Sequence, residues 1–170
     1  TVLAVASSAG SSQQPAAPHR LSALSIEWQG KGDLARKSGK LDDANNAYES
    51  ALAADPQNRG AYMALAEIAR GQGLQGKAIR FYGEALALNP TDVNALSGQG
   101  QALAEKGAIA QAQNILARIK PLCKSACLAA NQLAASIKTQ SSARAAALLA
   151  AKDTEPTPGG NNAPSVTQKP

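Results

Sequence analysis

The chain has 170 residues, with one Phe, one Trp and three Tyr, and a hydrophobic fraction of 44% in which Ala and Leu are prominent. That is enough for one domain with tails. The scarcity of aromatic and alternating β-branched residues excludes a large β-sandwich core. The net charge is +5 but uneven: from Lys106 to Lys152 there are seven basic residues and no Asp or Glu. Such a stretch reads as a solvated basic face or as a surface for an anionic partner. No apolar run is long enough to span a bilayer, so no transmembrane segment is expected in these residues.

Residues 1–20 read as a disordered leader. TVLAVASSAG contains Ala4-Val5-Ala6, an A-x-A pattern after an apolar start. It reads equally as the remnant of a signal peptide or as an alanine-rich leader. GSSQQPAAPHR, 10–20, is linker-like and holds His19, the single histidine.

From residue 25 onward the sequence repeats. Gly39, Gly73 and Gly107 are 34 residues apart, as are Ala44, Ala78 and Ala112; Tyr48 and Tyr82, and Pro56 and Pro90, keep the interval. A period of about 34 residues in a helical chain marks a stacked array of helical pairs. GQGLQG, 71–76, has the glycine spacing of a dinucleotide-binding loop. That loop needs a strand before it. Upstream, Tyr62, Leu65, Ala66, Ile68 and Ala69 follow helical spacing instead. Gly73 belongs to the repeat and Gly71 and Gly76 do not, so the stretch reads as a helix-to-helix turn and no nucleotide is expected there. Pro56 and Pro90 stop each pair, because proline cannot continue the helical ladder.

These residues resemble the tetratricopeptide repeat family. Unit one, 25–58, carries Trp28, Gly32, Gly39, Ala44, Tyr48, Ala51 and Pro56. Unit two, 59–92, carries Tyr62, Leu65, Ala66, Gly73, Ala78, Tyr82, Ala85 and Pro90. Unit three, 93–126, carries Leu96, Gly100, Gly107, Ala112 and Leu116. Lys31 and Gln99 stand where the family prefers Leu. The resemblance implies an all-α, right-handed superhelical solenoid of three helix-turn-helix units with disordered tails. A C-terminal capping helix is expected over 125–138, with Ser125 as its N-cap and Leu133, Ala134 and Ile137 in first-helix positions. The domain then spans 21–138, residues 139–152 form a possible extra helix or, over 141–152, extend the cap, and 153–170, rich in Pro and Gly, form a disordered tail.

The resemblance also implies a concave groove, lined by the first helices, for a peptide or helix of a protein partner. Its positions fall on Gln29, Asp33, Arg36, Lys37, Met63, Glu67, Arg70, Ser97, Gln101 and Glu105. Family members that clamp a C-terminal carboxylate use Lys and Asn at fixed positions. Here those positions hold Gln29, Asp33, Ala64, Asn94 and Gly98, which cannot hold the anion. Such a co-chaperone role is therefore not expected.

Catalytic chemistry is not expected either. His19 reads as a solvated linker residue, outside any fold that could assemble a nucleophile around it. Two cysteines without a neighbouring histidine cannot complete a zinc site; no metal, cofactor or small-molecule ligand is expected. Asp42 and Asp43 sit where a helix begins and favour its positive end. Cys123 and Cys127 are close enough in sequence to bridge, closing a loop worth about 2 kcal/mol, or they stay reduced as small apolar residues. With the leader, the bridge points to a periplasmic or secreted bacterial protein, in envelope assembly or secretion; a cytoplasmic location is the alternative. A second reading assigns Arg118, Lys120, Lys124, Lys138 and Arg144 to an anionic polymer or membrane surface. Nucleic acid is not expected, since no aromatic side chain follows Lys106 to stack on bases.

Overall fold

The computed structural model describes residues 19–123 and 127–153. The Ala4-Val5-Ala6 leader, Ser125 and the tail from 154 lie outside the described residues. The described chain forms seven α-helices: α1 Ala23–Lys37, α2 Leu41–Ala54, α3 Arg59–Gly71, α4 Gln75–Leu88, α5 Val93–Glu105, α6 Ile109–Ile119 and α7 Leu128–Asp153. A short 3-10 turn, Lys120–Leu122, follows α6. There is no strand among the described residues.

The 34-residue beat is also a beat of helix ends. Among the described residues, Gly39, Gly73 and Gly107 are those with positive φ, at 74°, 76° and 88°. At each, the glycine N–H and the next residue's N–H turn back onto the preceding helix: Gly39 to Arg36 O and Lys40 to Ala35 O, Gly73 to Arg70 O and Leu74 to Ala69 O, Gly107 to Ala104 O and Ala108 to Leu103 O. This is the closure that a left-handed residue permits, and glycine adopts it without a Cβ penalty. GQGLQG is therefore the end of α3 and the start of α4.

The first helix of each pair starts on a side-chain cap. Ser22 Oγ accepts from Ser25 N, Asn58 Oδ1 from Ala61 N, and Asp92 Oδ1 from Asn94 N and Ala95 N. Each satisfies an orphan donor of the first turn. Buried polar groups tie neighbouring pairs together: Asn58 Nδ2 donates to Ser25 Oγ at 2.9 Å, and Ser25 Oγ donates to Ala51 O at 2.8 Å.

Successive helices pack as a solenoid, α1 on α2, α2 on α3, and so on to α7, which covers both α5 and α6. Small residues let the first helix of each pair approach the second. A Cβ on Gly32 would lie 2.6 Å from the Tyr48 ring of α2, and one on Gly100 would lie 3.2 Å from Ile115 of α6 and 2.6 Å from Leu133 of α7. Tyr48 and Tyr82 are buried at the same position in α2 and α4, each in the wedge between pairs. Leu133 and Ile137 of α7 are buried in the core around Leu96, Ile115 and Ile119. Ala134, in the position equivalent to Gly32, Ala66 and Gly100, is exposed, because no described helix follows α7 to pack on it.

One open alternative is decided and one expectation is revised. Of the two readings for the residues after 138, an extension of the cap or an extra helix, the chain takes the first: Leu128–Asp153 is one continuous helix of 26 residues. Nothing between Leu128 and Asp153 breaks it: there is no Gly or Pro, and Ser141 and Ser142 fold their hydroxyls onto Ile137 O and Lys138 O. His19 is not a solvated linker residue. Its Nε2 lies 2.9 and 3.1 Å from the two carboxylate oxygens of Asp55. Asp55 also accepts from Ser22 N and Gln57 N. Its carboxylate ends α2 in a buried position and needs partners, and residues 19–22 supply them. These bonds, the Ser22 N–H first and then His19, hold the Asp55 carboxyl below its ordinary pKa against the opposing effect of burial.

Candidate functional site

A cavity of about 700 Å³ opens on the face formed by the first helices of the second and third pairs and by α7. Met63, Glu67 and Arg70 come from α3, with Asn94, Ser97, Gly98 and Gln101 from α5; Tyr82 of α4 forms part of its lining, and Gln132 and Ala135 come from α7. Residues at i, i+3, i+4 and i+7 share one helix face, which is why Met63, Glu67 and Arg70 project together. Gly98 makes room for Tyr82: a Cβ there would lie 2.3 Å from Tyr82 Cζ.

The charged lining is neutralised across helices. Arg70 donates to Glu105 Oε1 at 2.8 Å, and Arg36 donates to Glu67 Oε2 at 2.6 Å. Burial opposes the Arg70 cation, but the Glu105 carboxylate outweighs it and holds the guanidinium above its ordinary pKa. Burial likewise pushes the Tyr82 phenol up, so it stays a neutral hydroxyl at physiological pH. The remainder is uncharged. Ser97 Oγ donates to Ala129 O at 2.8 Å and fastens α7 to α5, while Gln101 Nε2 donates to Ser97 Oγ at 3.1 Å. Amide and hydroxyl groups beside one thioether can hydrogen-bond a peptide backbone and pack a small apolar side chain.

Of the residues expected in the groove, the cavity brings together Met63, Glu67, Arg70, Ser97 and Gln101. Glu105 stands behind it as the partner of Arg70. The first-pair positions lie elsewhere. The Gln29 amide fills the space beside Gly60, Asp33 accepts from the Tyr48 hydroxyl at 2.7 Å, and Lys37 is exposed. Arg36 lies beside a smaller cavity of about 280 Å³ with Leu41, Glu67, Ile68 and Gly71. Tyr82, Gln132 and Ala135 were not foreseen. Ala135 was readable in principle: it continues the series Asp33, Glu67, Gln101 at the same interval. Tyr82, a repeat position, also fills the wedge between pairs.

The sulfurs of Cys123 and Cys127 lie within bonding distance, their Cα atoms 5.7 Å apart. They close the turn leading into α7, the helix that supplies one wall of the cavity. No group of His, Cys, Asp and Glu among the described residues is arranged as a metal site. None of the described helices is long and apolar enough to cross a membrane.

A family model for the tetratricopeptide repeat matches residues 30–93. Residues 30–93 therefore carry tetratricopeptide repeats. The first TPR of Spaghetti (RPAP3), bound to the HSP90 peptide SRMEEVD, matches this repeat protein at 25% identity and a TM-score of 0.61, over 72% of this chain and 96% of that one. The first TPR domain of human RPAP3 matches at 22% identity and 0.64, with the same coverage. The second TPR domain of human RPAP3, in complex with the HSP70 peptide SGPTIEEVD, matches at 21% and 0.62, over 68% and 95%. At these identities the two human domains show that the tetratricopeptide fold is shared. No curated protein sequence matches the chain.

Proposed function

We propose that this repeat protein is a non-catalytic adaptor that holds an extended or helical segment of a partner protein in the cavity between α3, α5 and α7. The observation that carries this reading is the cavity itself: about 700 Å³, walled by helices on three sides and lined by uncharged hydrogen-bonding groups around Met63, with Glu67 and Arg70 each paired to a residue outside the lining. The likeness to a repeat domain bound to a peptide supports it. The chemistry of the partner differs from that peptide's acidic C-terminus. The positions for an anion clamp hold Gln29, Asp33, Ala64, Asn94 and Gly98, and both arginines nearby are already paired with glutamates. An uncharged internal segment suits this lining better than a carboxylate. The Cys123–Cys127 pair and the Ala4-Val5-Ala6 leader support an oxidising, bacterial-envelope setting.

A peptide-display selection against the full chain tests the reading. Selected peptides are expected to shift backbone amide resonances of Met63, Gln101 and Ala135. Shifts confined to α2, α4 and α6 would place the binding surface elsewhere.

A further inference from the structure

The solenoid has an end that its own repeat says should be covered. Positions Lys31, Leu65 and Gln99 are equivalent, as are Leu34, Ile68 and Ala102. Leu65 and Ile68 of α3 are buried in a cluster with Ala44, Tyr48 and Ala51 of α2. Leu96 and Ala102 of α5 are buried in a cluster that includes Ala78, Tyr82 and Leu86 of α4. In each case the second helix of the preceding pair packs against this face. On α1 no helix precedes it among the described residues, and Leu34 is 67% exposed where Ile68 is 5% and Ala102 is 0%. Leu24 is open beside it.

A long polar side chain in the middle of this face does not exclude a covering helix. Gln99 occupies the same position on α5 and reaches under α4 to donate to Ile79 O at 3.3 Å. Lys31 now lies 4.1 Å over the Trp28 ring and 2.8 Å from Glu27. Its ammonium can make the same donation to a docked helix.

The stretch in phase with α2 ahead of α1, residues 7–20, contains Pro15 and Pro18 and no Leu, Ile, Val or aromatic residue. The helix that fits the face therefore comes from outside that stretch. The chain carries one at its other end. Beyond Arg144, whose guanidinium donates to Gly107 O, α7 runs on with Leu148 60% and Leu149 66% exposed among alanines. Small residues also dominate the faces that α2 and α4 give to their neighbours. Charge does not decide the contact: α1 carries two acids, Glu27 and Asp33, against three bases, so the join rests on the apolar side chains.

We propose that the protein associates head to tail, the Leu148–Leu149 end of α7 in one copy lying across the open Leu24–Trp28–Leu34 face of α1 in the next. The contact joins unlike surfaces, so it propagates unless rotation closes a ring. It is independent of the groove reading.

The test is the mass of the full chain in solution over a wide range of concentration. The expected result is an average mass that climbs past twice 17.3 kDa as concentration rises. Leu34→Glu and Leu149→Glu, both at exposed sites, are each expected to stay monomeric alone. Mixed in equal amounts they are expected to pair and stop there, because each retains one intact surface. A wild-type chain that stays monomeric throughout overturns the proposal. So does a single variant that still self-associates, which would mean a symmetric contact or one elsewhere, and so does a mixture that stays monomeric.

Discussion

At Gly98 the backbone of α5 passes under the Tyr82 ring, leaving no space for a Cβ. Gly98→Ala is expected to cost about 1–3 kcal/mol through overpacking. The same change at Gly76, in the first turn of α4, meets no atom within 4 Å. It is expected to gain up to about 1 kcal/mol from helix propensity. Urea denaturation of both variants checks the pair. Two changes of the same sign would contradict the assignment of Gly98 to a close approach. The two glycines look alike in the sequence, and neither has a glycine at every equivalent position. Only the packing separates them, because what decides the sign is the ring opposite and not the residue itself. Asp55 makes a similar point. Its partners His19 and Ser22 lie on a segment with no periodic pattern, so nothing in the spacing of residues predicts that it docks.

Among the elements, α7 matters most to the site. It supplies Gln132 and Ala135 to the cavity and is held by three different devices. Leu133 and Ile137 bury in the core, Ala129 O accepts from Ser97, and the Cys123–Cys127 pair ties its start to the end of α6. The five-residue loop so closed contributes about 2 kcal/mol by chain entropy. Adding a reductant to the full chain is expected to lower its unfolding free energy by that amount and to weaken peptide binding. Cys123→Ser together with Cys127→Ser should then show no response to the reductant. Identical melting of the wild type with and without reductant would mean that the turn holds without the bridge. The three helical pairs were legible from period alone, because each helix end needs a left-handed glycine at a fixed place and each wedge needs a bulky ring. The length of α7 was not, since a cap has no neighbour beyond it to impose a boundary.

For the whole molecule, the repeat fixes which faces are buried and which remain. One face is concave and polar, and it forms a cavity where α3, α5 and α7 meet. Half of the expected groove positions line that cavity. The first-pair positions do not: the Gln29 amide fills the space beside Gly60, Asp33 is bonded to the Tyr48 hydroxyl, and Arg36 lies beside the smaller cavity. Sequence phase says which residues share a face, but the wall that α7 adds beside α5 decides which of them meet in one cavity.

The most direct test of the account is an affinity titration of a display-selected peptide with Ala135→Trp, a substitution at an exposed site of α7 that places an indole into the cavity. The account predicts a loss of affinity of about tenfold or more, roughly 1.4 kcal/mol, with the thermal unfolding of the variant unchanged. Undiminished affinity in a folded Ala135→Trp chain would contradict it.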